Sequence, residues 1–182
     1  MKMKVLVTAF KPFNNSLNNY SIEVLNYLHD VEKAILDVVY DECYLELTNN
    51  FNLDQFDLII ALGEARMRNE ILLEVNAKNI SDCRIKDNAG NLKINEIIDQ
   101  NEEKELKTLV NLDFLKDTIS NSFDAGKFVC NNLYFHLLKN YPNKSLFIHI
   151  PECNNDLNNY KKFADKIKEI IQILKGVSNE KK

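Results

Sequence analysis

The sequence predicts one α/β domain with three layers, helices packed on both faces of a mainly parallel twisted sheet. Three observations carry that prediction. Aliphatic runs such as "FDLIIALG" (56–63) lack the polar alternation of a strand with one wet face, so both of their faces are expected to be buried. These runs alternate with segments whose apolar residues recur at helical spacing. The chain has 182 residues, one domain's length and enough for a proper core, with no internal repeat and no interdomain linker. The domain is expected over 1–176, with 177–182 as a disordered tail.

Residues 3–10, "MKVLVTAF", read as a buried first strand, followed by a turn-rich loop with Pro12 and several Asn. Residues 21–29 carry Ile22, Leu25 and Leu28 at helical spacing, with Ser21 or Asn19 as the cap. "AILDVVYD" (34–41) reads as a second strand and "ECYLELTNNF" (42–51) as a helix. "FDLIIALG" is a strong strand closed by Gly63. Beyond it come an extended segment near 71–80, a turn at "NAGN" (88–91) and a charged, weakly patterned stretch over 95–119. Val129, Leu133 and Leu137 mark a helix over 128–141 that Pro142 ends. "SLFIHI" (145–150) is a strand stopped by Pro151. In 159–176, Phe163, Ile167, Ile170, Ile171 and Leu174 share one face of an amphipathic helix.

Hydrophobic residues make up 45% and charged residues 27%, an ordinary globular balance. The net charge of −4 gives no general affinity for nucleic acid or anionic membrane. No apolar run reaches the roughly 18–20 residues of a membrane span, and the basic start "MKMK" leads into a strand rather than a signal peptide. The expectation is a soluble cytoplasmic protein. Cys43, Cys83, Cys130 and Cys153 form no CxxC pair, so neither a disulfide framework nor a zinc site is expected.

Cys130 stands at the start of a helix, one turn past an Ala-Gly step. There it is either an inert core thiol or a nucleophile whose thiolate is favoured by free N–H groups and the helix dipole. A partner imidazole and carboxylate then come from elsewhere in the fold. His136, six residues on along the same helix, points about 120° away and is a poor partner. His29 reads as surface. His149 interrupts an apolar strand, either as a core histidine bonded to backbone or as the partner of Cys130. Glu74 interrupts "ILLEV" and needs pairing if buried, with Arg84 or Arg66 as structural partners.

Several separated segments, in order, resemble the pyroglutamyl peptidase I family, also called pyrrolidone carboxyl peptidase, cysteine peptidases of α/β/α architecture. They are "KVLVTAFKPFNN" (4–15), "ALGEARMR" (61–68), "ILLEVNAKN" (71–79), "SDCRIKDNAGN" (81–91), "SFDAGKFVCN" (122–131) and "LFIHIP" (146–151). The resemblance implies Cys130 as nucleophile, His149 as general base and acid, and Glu74 as the carboxylate orienting it. It implies Phe10 and Phe13 as aromatics around the lactam ring, and Arg84 near the oxyanion site beside the Cys130 N–H. It implies a peptide with an N-terminal pyroglutamate as substrate, no metal or organic cofactor, no nucleic-acid or membrane partner, and leaves room for a homo-oligomer.

The chain departs from the family pattern at several positions. Asn14 and Asn15 stand where the family has a Gly pair, and Asn best tolerates left-handed backbone among non-Gly residues. Glu64, Arg66 and Met67 replace small or neutral residues of a loop beside the substrate. Asp124 lies six residues before the nucleophile, where an inward carboxylate opposes thiolate formation. Two expectations follow: a divergent active peptidase, or a degenerate homologue that binds a blocked peptide terminus without turnover. A flavodoxin-like or nucleotide-binding protein lacks support, since there is no GxGxxG, no P-loop and only four Gly.

Overall fold

The computed structural model describes residues 3–180, and side chains through residue 177. Six strands form the main sheet in the order β2-β1-β3-β8-β4-β7. They are β1 (Val5–Phe10), β2 (Glu32–Leu36), β3 (Leu58–Glu64), β4 (Leu72–Glu74), β7 (Ser120–Ser122) and β8 (Ser145–Ile150). Every residue of β1 and β8 is buried, as uninterrupted aliphatic runs require. β1, β2, β3 and β8 pair in parallel, whereas β4 runs antiparallel to β8 and parallel to β7. The mainly parallel α/β sheet is thus the one expected, with one antiparallel joint. A small antiparallel ribbon pairs β5 (Asn76–Lys78) with β6 (Glu105–Lys107).

The pleat sorts the core into two layers. Val5, Val7, Ile60, Ile148 and their neighbours face α1 (Tyr20–Asn26) and α4 (Leu157–Glu180). Leu6, Phe10, Ile59 and Phe147 face α2 (Glu42–Asn50) and α3 (Val129–Asn140). Ile167, Ile170, Ile171 and Leu174 of α4 are buried, the face read from the sequence.

Some boundaries shift for local reasons. β2 ends at Leu36 rather than 41. Asp37 turns the chain out of the sheet, its Oδ1 accepting from Val38 N while its own N–H donates to Glu46 Oε2. α1 starts under the Asn19 cap, which accepts from Ser21 N, and ends at Asn26, leaving His29 exposed outside it. The 71–80 segment divides at Val75 between two sheets, and β7 falls where no strand was expected. α4 continues to Glu180, past the end expected at 176; the last two residues of the expected tail, Lys181 and Lys182, lie outside the described residues.

Candidate active site

α3 delivers Cys130 to the sheet at Gly63. A Cβ added at Gly63 would stand 2.8 Å from Cys130 Sγ and 2.7 Å from Phe147 Cζ, so only glycine leaves room for the sulfur. Gly63 is the register partner of His149 across the parallel β3–β8 pair. Paired residues on strands about 4.8 Å apart point to the same face. The sulfur and the imidazole are therefore neighbours on the α3 face of the sheet. β4 brings in the carboxylate, since Glu74 pairs with Phe147, two residues before His149. His149 Nδ1 lies 2.7 Å from Glu74 Oε1, and Glu74 is fully buried.

Hydrogen bonds from α3 hold this arrangement. Tyr134 Oη donates to the Glu74 carbonyl at 2.8 Å. Asn131, fully buried, accepts from Lys78 N and donates to the carbonyls of Lys78 and Ile80, clamping β5 to the helix. His136 points elsewhere, as its angle predicts: Nε2 meets Asp41 Oδ1 at 3.1 Å and the ring stacks on Tyr44.

A cavity of about 300 Å³ opens above these groups. Phe10, Phe13, Val38 and Phe128 form its apolar wall, with Phe13 and Phe128 ring centroids 5.7 Å apart. Cys130 and His149 line it, together with Glu64, Met67, Arg68 and Asp124. Just past Phe13, Asn14 and Asn15 adopt φ of 51° and 59°, the left-handed turn expected of them. Phe128 offers no side-chain cap to the first turn of α3, so the N–H groups beside Cys130 have no side-chain acceptor.

The three arginines of the chain go to different places. Arg84 does not join the cavity. It is exposed and lines a separate depression with Asn14, Asn15 and Lys86 that shares only Phe13 with the site. The cation paired with Glu74 is neither Arg84 nor Arg66 but Arg68, at 3.1 Å. Arg68 also donates to Ser122 Oγ at 3.0 Å and to the Asp124 carbonyl at 2.6 Å, tying the β3–β4 loop to β7. Arg66 turns back to Glu64 (2.6 Å) and Ser16. The sequence holds three arginines within reach of Glu74 along the chain and no local signal for which one arrives.

Electrostatics also run against the expected thiolate. Burial pushes the Cys130 thiol up to about 12, and the charges of Glu64 and Glu74 add to it. Asp124 is not the opposing group: it pairs with Lys78 at 2.8 Å and accepts from Gly126 N. Burial alone would raise the Glu74 carboxyl, but the hydrogen bond and charge of His149, with Ser122 and Arg68, outweigh it and hold Glu74 below its ordinary range.

The pyroglutamyl peptidase family model matches residues 3–164. A pyrrolidone-carboxylate peptidase of Brachyspira hyodysenteriae is 38% identical over 169 residues, covering 82% of this chain and 83% of that protein. One of Thermosipho melanesiensis is 32% identical over 202 residues, covering 98% and 100%. This chain belongs to the pyroglutamyl peptidase family. The crystal structure of Bacillus amyloliquefaciens pyroglutamyl peptidase I superposes with a TM-score of 0.81 at 27% identity, covering 91% of this chain and 94% of that one. As a member of the pyroglutamyl peptidase family, the chain is a cysteine peptidase, and the family match contains every residue of the cavity described above.

Proposed function

We propose that this peptidase removes N-terminal pyroglutamyl residues from peptides, with Cys130 as nucleophile, His149 as general base and then acid, and Glu74 orienting the imidazole. The observation that carries this reading is the Glu74–His149 bond beside Cys130 at one cavity. With Nδ1–H given to Glu74, His149 Nε2 is the nitrogen free to take a proton, and it has no hydrogen-bond partner among the described residues. Nε2 takes the Cys130 proton as the sulfur attacks the carbonyl that joins the pyroglutamyl residue to the next amino acid. The oxyanion meets the uncapped N–H groups at the start of α3. Nε2–H then protonates the leaving amine as the C–N bond breaks, and a water deprotonated by His149 hydrolyses the thioester. The flat lactam lies between Phe10 and Phe13, an apolar slot suited to a small ring with one N–H and one C=O. Arg84, expected near the oxyanion, lies outside the cavity lining and is not needed in this scheme.

The same proposal places the enzyme in the cytoplasm, supported by four free cysteines. No helix among the described residues is long and apolar enough to cross a membrane. A homo-oligomer also belongs to the proposal, supported by exposed Leu92, Ile94 and Ile97 on one loop.

Incubation with a fluorogenic pyroglutamyl amide tests the reading. Release by the wild type, abolished in Cys130→Ser, is the expected result. No release, together with saturable binding of a pyroglutamyl peptide, would establish the non-catalytic binder instead.

A further inference from the structure

Three large apolar side chains stand exposed on segments that are bonded to one another at the edge of the cavity. Met67 lines the cavity and is 96% exposed, Leu17 is 98% exposed and Phe123 is 63% exposed. Hydrogen bonds join the segments that carry them. On one side of Met67, Arg66 Nη2 donates to Ser16 Oγ at 2.6 Å, and Ser16 precedes Leu17. On the other side, Arg68 donates to Ser122 Oγ and to the Asp124 carbonyl, the two residues flanking Phe123. The 64–68 loop is thus bonded at both ends to the segments that carry the other two side chains. Arg66 is held further by Glu64 and by the Tyr20 ring, 5.4 Å away, so the bridge is braced from below.

The cavity, at about 300 Å³, is sized for one residue of substrate with Cys130 on its floor. Whatever follows that residue must leave across the rim. Arg66 and Arg68 are both engaged in ion pairs, so the rim offers apolar surface rather than free charge. Methionine adapts its shape to varied apolar partners.

We infer that Leu17, Met67 and Phe123 form an apolar subsite for the residue that follows the pyroglutamyl group, so that the enzyme favours peptides with a large apolar second residue. This rests on the pyroglutamyl-peptidase reading above and adds the identity of the leaving segment. The subsite contacts the amine product, so it acts on KM and on kcat/KM through the leaving group, while the chemistry remains with Cys130.

The test compares kcat/KM for pyroglutamyl-leucine amide and pyroglutamyl-glycine amide, in the wild type and in Met67→Ser and Leu17→Ser, both at exposed positions where folding is not at stake. The expected leucine-to-glycine ratio is roughly five- to tenfold in the wild type, falling toward one in each variant, most in Met67→Ser. A wild-type ratio near one, with both substrates turned over, overturns the subsite and leaves the peptidase reading intact. So does a ratio unmoved by either substitution. If the wild type instead sediments as a dimer that Met67→Ser dissociates, with the ratio flat, the patch is an interface between copies and the subsite is wrong. Absence of turnover on either peptide sinks both the subsite and the reading beneath it.

Discussion

Burial and the charges of Glu64 and Glu74 raise the Cys130 thiol above its ordinary range. A helix N-terminus lowers a thiol's pKa, and here burial and two carboxylates oppose it. In the proposed scheme the proton leaves for His149 during attack, with the Glu74–His149 bond supporting the imidazolium. Two results are expected. Alkylation of the free enzyme at pH 7 by iodoacetamide should run slower at Cys130 than at free cysteine. In Glu64→Gln it should run roughly three- to tenfold faster than in wild type, because removing that negative charge lowers the thiol pKa. At Glu74 the stakes are structural as well. Glu74→Ala leaves His149 and Arg68 without their buried partner and is expected to cost about 3–5 kcal/mol in chemical denaturation. Glu74→Gln, which keeps the volume, should retain more of that stability yet lose roughly 10³-fold or more in kcat/KM.

Among the elements, β3 and β8 set the reaction geometry through one register pair, Gly63 with His149. Gly63→Ala forces Cys130 Sγ and the Phe147 ring aside. It is expected to cost about 1–3 kcal/mol in stability and roughly a hundredfold in kcat/KM, read by thermal unfolding and steady-state kinetics. β1, β3, β8, α3 and α4 were legible in the sequence because each is long enough for its apolar period to show, and Cys130 and His149 lie on those elements. β4 lies within the extended segment read near 71–80, but no local pattern announces its division from β5 or its antiparallel turn against β8, and β7, three residues long, exists only through pairing with β4. The misplaced arginines have the same origin. Arg66 and Arg68 sit two residues apart on one loop, and only the folded positions of Ser16 and Ser122 send one backward and the other to Glu74. Arg84 matched a family position, and a match along the chain does not aim a side chain on an exposed loop.

At the scale of the whole molecule, paired carboxylates tie neighbouring elements together. Asp41 joins α2 to α3 through His136 and Asn132 and is held well below the ordinary carboxylate range, with the His136 hydrogen bond as the largest cause. Glu74, Asp37 and Asp124 are lowered too, by His149, Asn88 and Lys78 respectively, against the burial that opposes each. A group whose folded pKa lies below its unfolded value stabilises the fold above the unfolded value, about 4 for a carboxylate, and loses that contribution as pH falls through the folded value. The thermal midpoint is therefore expected to stay nearly flat from pH 7 to 5 and to drop steadily below about 4.5. A midpoint that rises on acidification would contradict this assignment of charges. The central claim, that one cavity joins a sulfur, an imidazole and a carboxylate into a hydrolytic site, meets its most direct test in the covalent intermediate. Acid quenching during turnover of a pyroglutamyl peptide, followed by proteolysis and mass spectrometry, should find the pyroglutamyl group as a thioester on the fragment containing Cys130. Turnover that proceeds with that fragment unlabelled, or with the label on Cys83, would contradict it.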